Sequence, residues 1–204
     1  MARRSVRSIG ILGTAAVVGT FLVPASTAHA EPAPRPAISH TTQGDGTAYA
    51  RATASTGGRL RVVTQARGAG GARPRPTVAR AVASITENVR VEGGTYRIRL
   101  TYVGISSTRK AVGPDVLATL RRRSTVDFVA ASGGGSSSGV RRIQSLPRRG
   151  SATTVLMLDV GPGTSGRLVV RAELYARSAA DRYRDRAVAR ATVRDVRVEV
   201  TPVS

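Results

Sequence analysis

Cysteine is absent from the 204-residue chain. Its absence excludes disulfides, thiolate metal sites, a cysteine nucleophile and a lipid-modified amino-terminal cysteine, so packing and hydrogen bonds alone must hold the fold. Tryptophan is absent too, and five tyrosines with two phenylalanines make up the aromatic content. Sites that read single-stranded bases set rings beside their basic residues, so the shortage of rings argues against sequence-specific nucleic-acid binding and against a sugar-stacking platform. Histidine occurs only as His29 and His40, too few for a usual zinc site. Acidic residues are scarce, 12 against 32 basic ones, and Lys110 is the single lysine among the latter. A long apolar run is found only at the start of the chain, over residues 9–23.

That run belongs to a secretory signal peptide expected over residues 1–30. Arg3, Arg4 and Arg7 supply the basic start, Pro24 breaks the apolar run, and Ala28-His29-Ala30 is a small-x-small cleavage site. The run is shorter than the about 20 residues of a membrane-spanning helix. The mature chain is therefore expected outside the cell or at the wall, without a transmembrane segment; Arg3-Arg4 leaves the general and twin-arginine export routes both open. Cleavage after Ala30 leaves 204 − 30 = 174 residues, and removes three basic residues and no acid, so the mature charge is 29 − 12 = +17. Such a charge on one small domain favours anionic partners, whether a wall polymer, an acidic lipid surface, nucleic acid or an acidic protein. An excess of arginine, alanine and glycine is also what a GC-rich genome produces with no functional demand.

Residues 31–46 begin with a proline-rich lead, Glu31-Pro-Ala-Pro-Arg-Pro36, expected to be extended and mobile. Residues 47–204 form a single domain of alternating strands. Ala48, Ala50, Ala52 and Ala54 alternate with polar residues, and Thr56-Gly57-Gly58 turns the chain into residues 59–63 as a first hairpin. Residues 68–76 read as a linker, and Glu92-Gly93-Gly94 as a turn between extended runs over 78–91 and 95–103. In the second run Tyr96, Ile98, Leu100 and Tyr102 share one face while Arg97, Arg99 and Thr101 share the other. Gly113-Pro-Asp115 can open a short helix, which leaves residues 113–123 open between helix and strand. Residues 133–139 are a Gly/Ser loop, 140–146 a short strand, and 153–160, apolar on both sides, a central strand. Residues 161–166 then turn into a long hairpin over 167–200, whose first arm alternates Leu168, Val170, Ala172, Leu174 and Ala176 with the outward Arg167, Arg171, Glu173, Tyr175 and Arg177, and which has a β-bulge at Arg194 and Asp195 where the apolar parity shifts. The expected fold is all-β, an immunoglobulin-like antiparallel β-sandwich of about eight or nine strands. A membrane barrel is disfavoured because its aromatic girdles are missing.

Three short matches to catalytic motifs fail in context. Gly161-Pro-Gly163-Thr-Ser-Gly166 has dinucleotide-fingerprint spacing, but a strand follows it where a helix must offer its N–H groups to the pyrophosphate. Gly135-Ser-Ser137-Ser-Gly139 has nucleophile-elbow spacing without any later histidine to take the proton. Ser107-Thr-Arg-Lys110 has the serine-to-lysine spacing of penicillin-recognising enzymes without their companion motifs. Asp181 and Asp185 lie among arginines that hold carboxylates ionised, which suits local neutralisation better than acid catalysis. No catalytic residue, metal site or cofactor is expected.

What remains is arginine, a planar fork that meets phosphate or carboxylate with paired hydrogen bonds. Arg121, Arg122 and Arg123, together with Arg182, Tyr183, Arg184 and Arg186, are the candidate binding residues, all expected in or near loops. The reading is a secreted, non-enzymatic, basic β-sandwich that binds an anionic cell-envelope component or another secreted protein. Two alternatives stand beside it: a subunit of a secreted assembly, and an enzyme whose carboxylates the fold alone brings together.

Overall fold

The structure, a computed structural model, describes residues 34–72, 74–131 and 139–203. The expected signal peptide with Ala28 and Ala30, and residues 132–138 of the Gly/Ser stretch, lie outside the described residues. The described chain is all-β. Its strands are β1 (Arg35–Gln43), β2 (Thr47–Ala54), β3 (Leu60–Arg67), β4 (Thr77–Val112), β5 (Val116–Ala130), β6 (Gly139–Ser145), β7 (Arg149–Ala180), β8 (Arg186–Val193) and β9 (Asp195–Val203). Every pairing is antiparallel, in one sheet of nine strands. No helix of the described residues is long and apolar enough to cross a membrane.

Two strands organise the sheet. β4 has 36 residues and β7 has 32, far beyond the usual strand of about 5–6. They pair with each other almost end to end, and the ladder breaks between Glu92 and Gly94, where Gly94 faces Val160 and Glu92 faces Ser165. Residues 161–164 of β7 therefore bulge opposite Gly93, and both strands bend there into a second layer. Only glycine fits the corner, because a Cβ on Gly93 would stand 2.6 Å from the Gly161 carbonyl oxygen, and Gly163 has φ +74°.

The front layer runs β1, the first half of β4, the second half of β7, β5 and β6. The back layer runs β2, β3, β8 continued by β9, the second half of β4 and the first half of β7. Their inner faces meet in one core, which holds Leu60, Val62, Ile98, Leu100, Tyr102, Leu120, Leu168, Val170 and Leu174. Polar clamps cross it. Thr64 on β3 and Ser178 on β7 share a buried hydroxyl–hydroxyl bond of 2.8 Å. The Tyr102 hydroxyl donates to the Arg123 carbonyl at 3.0 Å and lies 3.1 Å from Ser124 Oγ.

The alternation predicted for residues 95–103 is present, with Tyr96, Ile98, Leu100 and Tyr102 at most 3% exposed. The hairpin of β2 and β3 is also present. Four expectations are corrected, and one point left open is settled. Glu92-Gly93-Gly94 and residues 161–166 are corners within continuous strands, since a glycine cluster serves a bend between layers as well as it serves a reversal. The hairpin over 167–200 is not formed: β7 pairs with β4 and β5, and β8 with β3 and β4, so its two arms lie in different layers. Within the lead, residues 35–43 are extended but not loose, because they form β1, an edge strand paired with β4. Pro36 is tolerated there because an edge strand leaves alternate N–H groups unpaired. Residues 116–130 form a strand through the stretch left open between helix and strand. Residues 153–160 pair on one side only, with β4, and Met157 is 47% exposed, so this arm is an edge. The irregularity expected at Arg194 is present: the Arg194 N–H donates to the Val103 carbonyl at 3.0 Å, and the core-facing positions switch from the buried odd residues of β8 to the half-buried Val196, Val198 and Val200 of β9.

Candidate functional site

The outer face of the front layer is assembled from alternate residues of five strands. With neighbouring strands about 4.8 Å apart, it is about 19 Å wide. Cross-strand partners project to the same side, so the register states which side chains share a row. One row sets Arg80 of β4 opposite Arg177 of β7, and another sets Arg90 opposite Arg167. Between them Tyr175 is opposite Arg121, Glu173 is opposite Arg123, and Arg171 is opposite Thr125, which in turn faces Arg141 of β6. With Arg35 of β1 opposite Thr86, nine arginines thus share this run of rows with two acids, Glu173 and Asp127.

Like charges directly opposite on a sheet are destabilising. Arg80 with Arg177 is such a pair, so this face is not arranged for stability alone. Arg123 forms an ion pair with Glu173 at 3.2 Å, and the Glu173 side chain is 12% exposed. Arg171 Nε reaches Thr86 Oγ1 at 3.4 Å. Arg123 Nε and Arg177 Nε are buried without a hydrogen-bond acceptor. Tyr175 is half-buried between Glu173 and Arg177 along its strand, and Arg80, Arg121 and Arg171 are exposed.

The candidate residues read from sequence divide. Arg121, Arg122 and Arg123 lie in β5 and not in a loop. Strand alternation then sends Arg121 and Arg123 outward and Arg122 inward, where it is 8% exposed. Arg122 donates through Nε and Nη2 to Gln144 Oε1, at 3.0 and 2.8 Å, and its guanidinium lies 5.9 Å from the centre of the Tyr102 ring. Burial lowers its pKa. Burial likewise pushes the Tyr102 hydroxyl up to about 12, against the Ser124 hydrogen bond, which lowers it.

Arg182, Tyr183, Arg184 and Arg186 do surround the loop that carries the chain from β7 to β8. The loop is pinned. Asp185, 1% exposed, accepts the Arg182 N–H at 3.1 Å, its own N–H donates back to the Arg182 carbonyl, and its carbonyl accepts the Gly68 N–H. Arg182 is held by Asp115 at 3.0 Å, and Arg67 sits 5.8 Å from the Tyr183 ring centre. Asp185 is thus a structural staple of the loop. The sequence reading missed Arg80, Arg171 and Arg177 as members of one site with Arg121. Arg171 and Arg177 stood on the polar side of a recognised strand, but nothing in the chain order announces that β5 and β4 flank it.

Among the described residues there is no group of three or more His, Asp or Glu side chains that could hold a metal ion. Glu87, half-buried, has its pKa raised by burial.

No protein-family model matches the chain, and no curated protein matches it. Among solved structures, it is similar to TmCBM61, solved in complex with β-1,4-galactotriose, at 10% identity and TM-score 0.29, covering 78% of this chain and 87% of that one. It is also similar to the enzymatically active domain of bacteriophage CBA120 tailspike protein 4, at 12% identity and TM-score 0.29. There the match covers 80% of this chain and 19% of that one.

Proposed function

We propose that the protein is an exported, non-enzymatic binding module whose front face holds an anionic polymer of the cell envelope. The observation that carries this reading is the like-charge row of Arg80 opposite Arg177, within a run of rows holding nine arginines and two acids. A polyanion laid across the strands turns that repulsion into attraction, and each guanidinium offers a fork to a phosphate or carboxylate. Arg121 and Arg123 belong to this surface, with Arg80, Arg171 and Arg177 added by the register; Arg122 supports it from beneath. Tyr175 gives the row an apolar ring for the uncharged backbone of the polymer. Export rests on residues 1–30, with cleavage after Ala30. The immunoglobulin-like arrangement stays part of the proposal: two facing antiparallel layers speak for it, and the passage of β4 and β7 through both layers speaks against it.

The test is retention on washed, purified wall at low salt, with the secreted chain sequenced from its amino terminus. The expected result is a chain beginning at Glu31 that binds at low salt and elutes as salt rises, because exposed charges are screened beyond about 10 Å at 0.1 M. Binding indifferent to salt, or unaltered when Arg80, Arg121, Arg171 and Arg177 are all changed to Gln, overturns the reading.

A further inference from the structure

A second basic feature lies away from the front face, where β4 changes neighbours. Ser106 is opposite Arg149 on one side and Thr192 on the other, so β7 and β8 diverge around it. The gap is a groove of about 470 Å³, lined by Ser106, Ser107, Thr108, Arg109, Arg148 and Arg149. Its two walls are tied together. The Ser107 N–H donates to the Arg148 carbonyl at 2.8 Å, and Ser107 Oγ donates to the Pro147 carbonyl at 2.8 Å. Leu146, 1% exposed, anchors the second wall in the core.

Three arginines therefore line one groove whose lining holds no carboxylate. Among the described residues none of the three is in an ion pair. From this we infer that the groove binds a phosphate group carried on a small polyol or sugar. Three positive charges match a phosphate monoester, at about −1.5 to −2, better than a carboxylate at −1. Arginine forks and serine or threonine hydroxyls together supply the many donors that phosphate oxygens accept. A bare ion leaves most of the groove empty, whereas its volume falls in the range of about 300–1,000 Å³ that holds small organic ligands. This site does not depend on the polymer-binding reading of the front face.

The test is calorimetric titration of the full chain with glycerol 1-phosphate, inorganic phosphate, glycerol and acetate at low salt. Glycerol 1-phosphate is expected to bind saturably at sub-millimolar concentration, and roughly tenfold more tightly than acetate. Arg109→Gln with Arg148→Gln is expected to weaken it by about tenfold or more, while Arg80→Gln with Arg177→Gln leaves it within about twofold. The converse pattern is expected for retention on purified wall, so the two sites fail or stand separately. Equal binding of acetate, unchanged binding in the groove variant, or no saturation at millimolar ligand overturns the proposal. If the double variant does not fold, as judged by its far-ultraviolet dichroism, the single variant Arg109→Gln, exposed on the groove wall, is read against the same outcomes.

Discussion

The front face and the β9–β4–β7 half of the back face are built from the same two long strands, yet they treat arginine in opposite ways. On the back, Arg99 is opposite Glu199 and is paired to it at 3.7 Å. Arg197 is held by Asp195 at 2.8 Å, an interaction that raises its pKa, and Thr95 donates to Asp159 beside it. On the front, Arg80 and Arg177 face each other, Arg90 faces Arg167, and the Arg123–Glu173 pair lies between these rows. Composition cannot account for the contrast, since one arginine-rich chain writes both. The remaining part of the back face, on β2, β3 and β8, is also basic, but there Arg61 faces Thr53 and Thr192, and Arg190 faces Val63 and Thr108. Among its described residues only Arg67 faces another arginine, Arg186. The front face sets two such pairs, Arg80 with Arg177 and Arg90 with Arg167, in one run of rows, and a surface with a large excess of one sign attracts ligands of the other.

The largest expected effect separates the faces directly. Changing Arg80, Arg121, Arg171 and Arg177 to Gln should weaken binding to immobilised polyphosphate at low salt by roughly a hundredfold. It should also flatten the dependence of log K on log salt by about one unit of slope for each arginine replaced. The same treatment of Arg97, Arg99 and Arg197 should change affinity by less than about threefold, because acids already answer the charge on that side. Equal weakening from both faces would leave net charge as the explanation and erase the distinction between them.

Next in size is the clamp that holds the layers together. Tyr102 of the back layer donates to the Arg123 carbonyl of the front layer, and burial pushes its pKa up to about 12. The raised value means that the folded state holds the proton more tightly than the unfolded chain, whose tyrosine titrates near 10. The stabilisation is therefore complete below about pH 10 and is lost as pH rises through about 12, amounting to about 2–3 kcal/mol in full. Urea unfolding between pH 8 and 12 reads it. Tyr102→Phe should remove this part of the alkaline dependence while lowering stability near neutrality by about 1–3 kcal/mol, because Ser124 loses its partner.

The strands were legible in the sequence, and the partners of the strands were not. Period-two alternation over 95–103 and 167–177 states which residues face inward, and the core contains them. The same pattern placed Arg167, Arg171 and Arg177 on the polar side. Gly93-Gly94 and the glycines of 161–166 were visible as breaks, but φ freedom alone does not distinguish a reversal from a corner. That ambiguity hid the defining feature of the fold, two strands that each serve both layers. The candidate site suffered most, since it consists of cross-strand rows. Arg121 and Tyr175 are 54 positions apart in sequence and neighbours in the sheet. Arg121-Arg122-Arg123 read as one cluster only because nothing placed it in a strand, where its middle member turns inward.

A smaller effect tests the one acid at the middle of the front face. Glu173→Gln should lower stability by about 1–3 kcal/mol, because its ion pair with Arg123 is largely buried and the change leaves that charge unanswered. It also raises the charge of the face by one, so affinity for polyphosphate should increase by about two- to fivefold. Stability and binding moving in opposite directions is the signature of a surface whose charge is kept for a ligand. Weaker binding in a folded Glu173→Gln chain would mean that Glu173 itself contributes to the site.

The smallest effect turns on sign. Arg80→Thr removes one member of a directly opposed like-charge pair, and a β-branched residue suits a strand, so the chain should become more stable by about 0.2–1 kcal/mol. Glu199→Gln removes an exposed ion pair whose partners are 55% and 60% exposed, and should cost less than about 1 kcal/mol. Thermal midpoints in low salt should thus shift up for the front-face change and down, slightly, for the back-face change, and both shifts should shrink in high salt as screening grows. A loss of stability on Arg80→Thr would show that Arg80 and Arg177 are reconciled by neighbours, and the front face would then be no different in kind from the back.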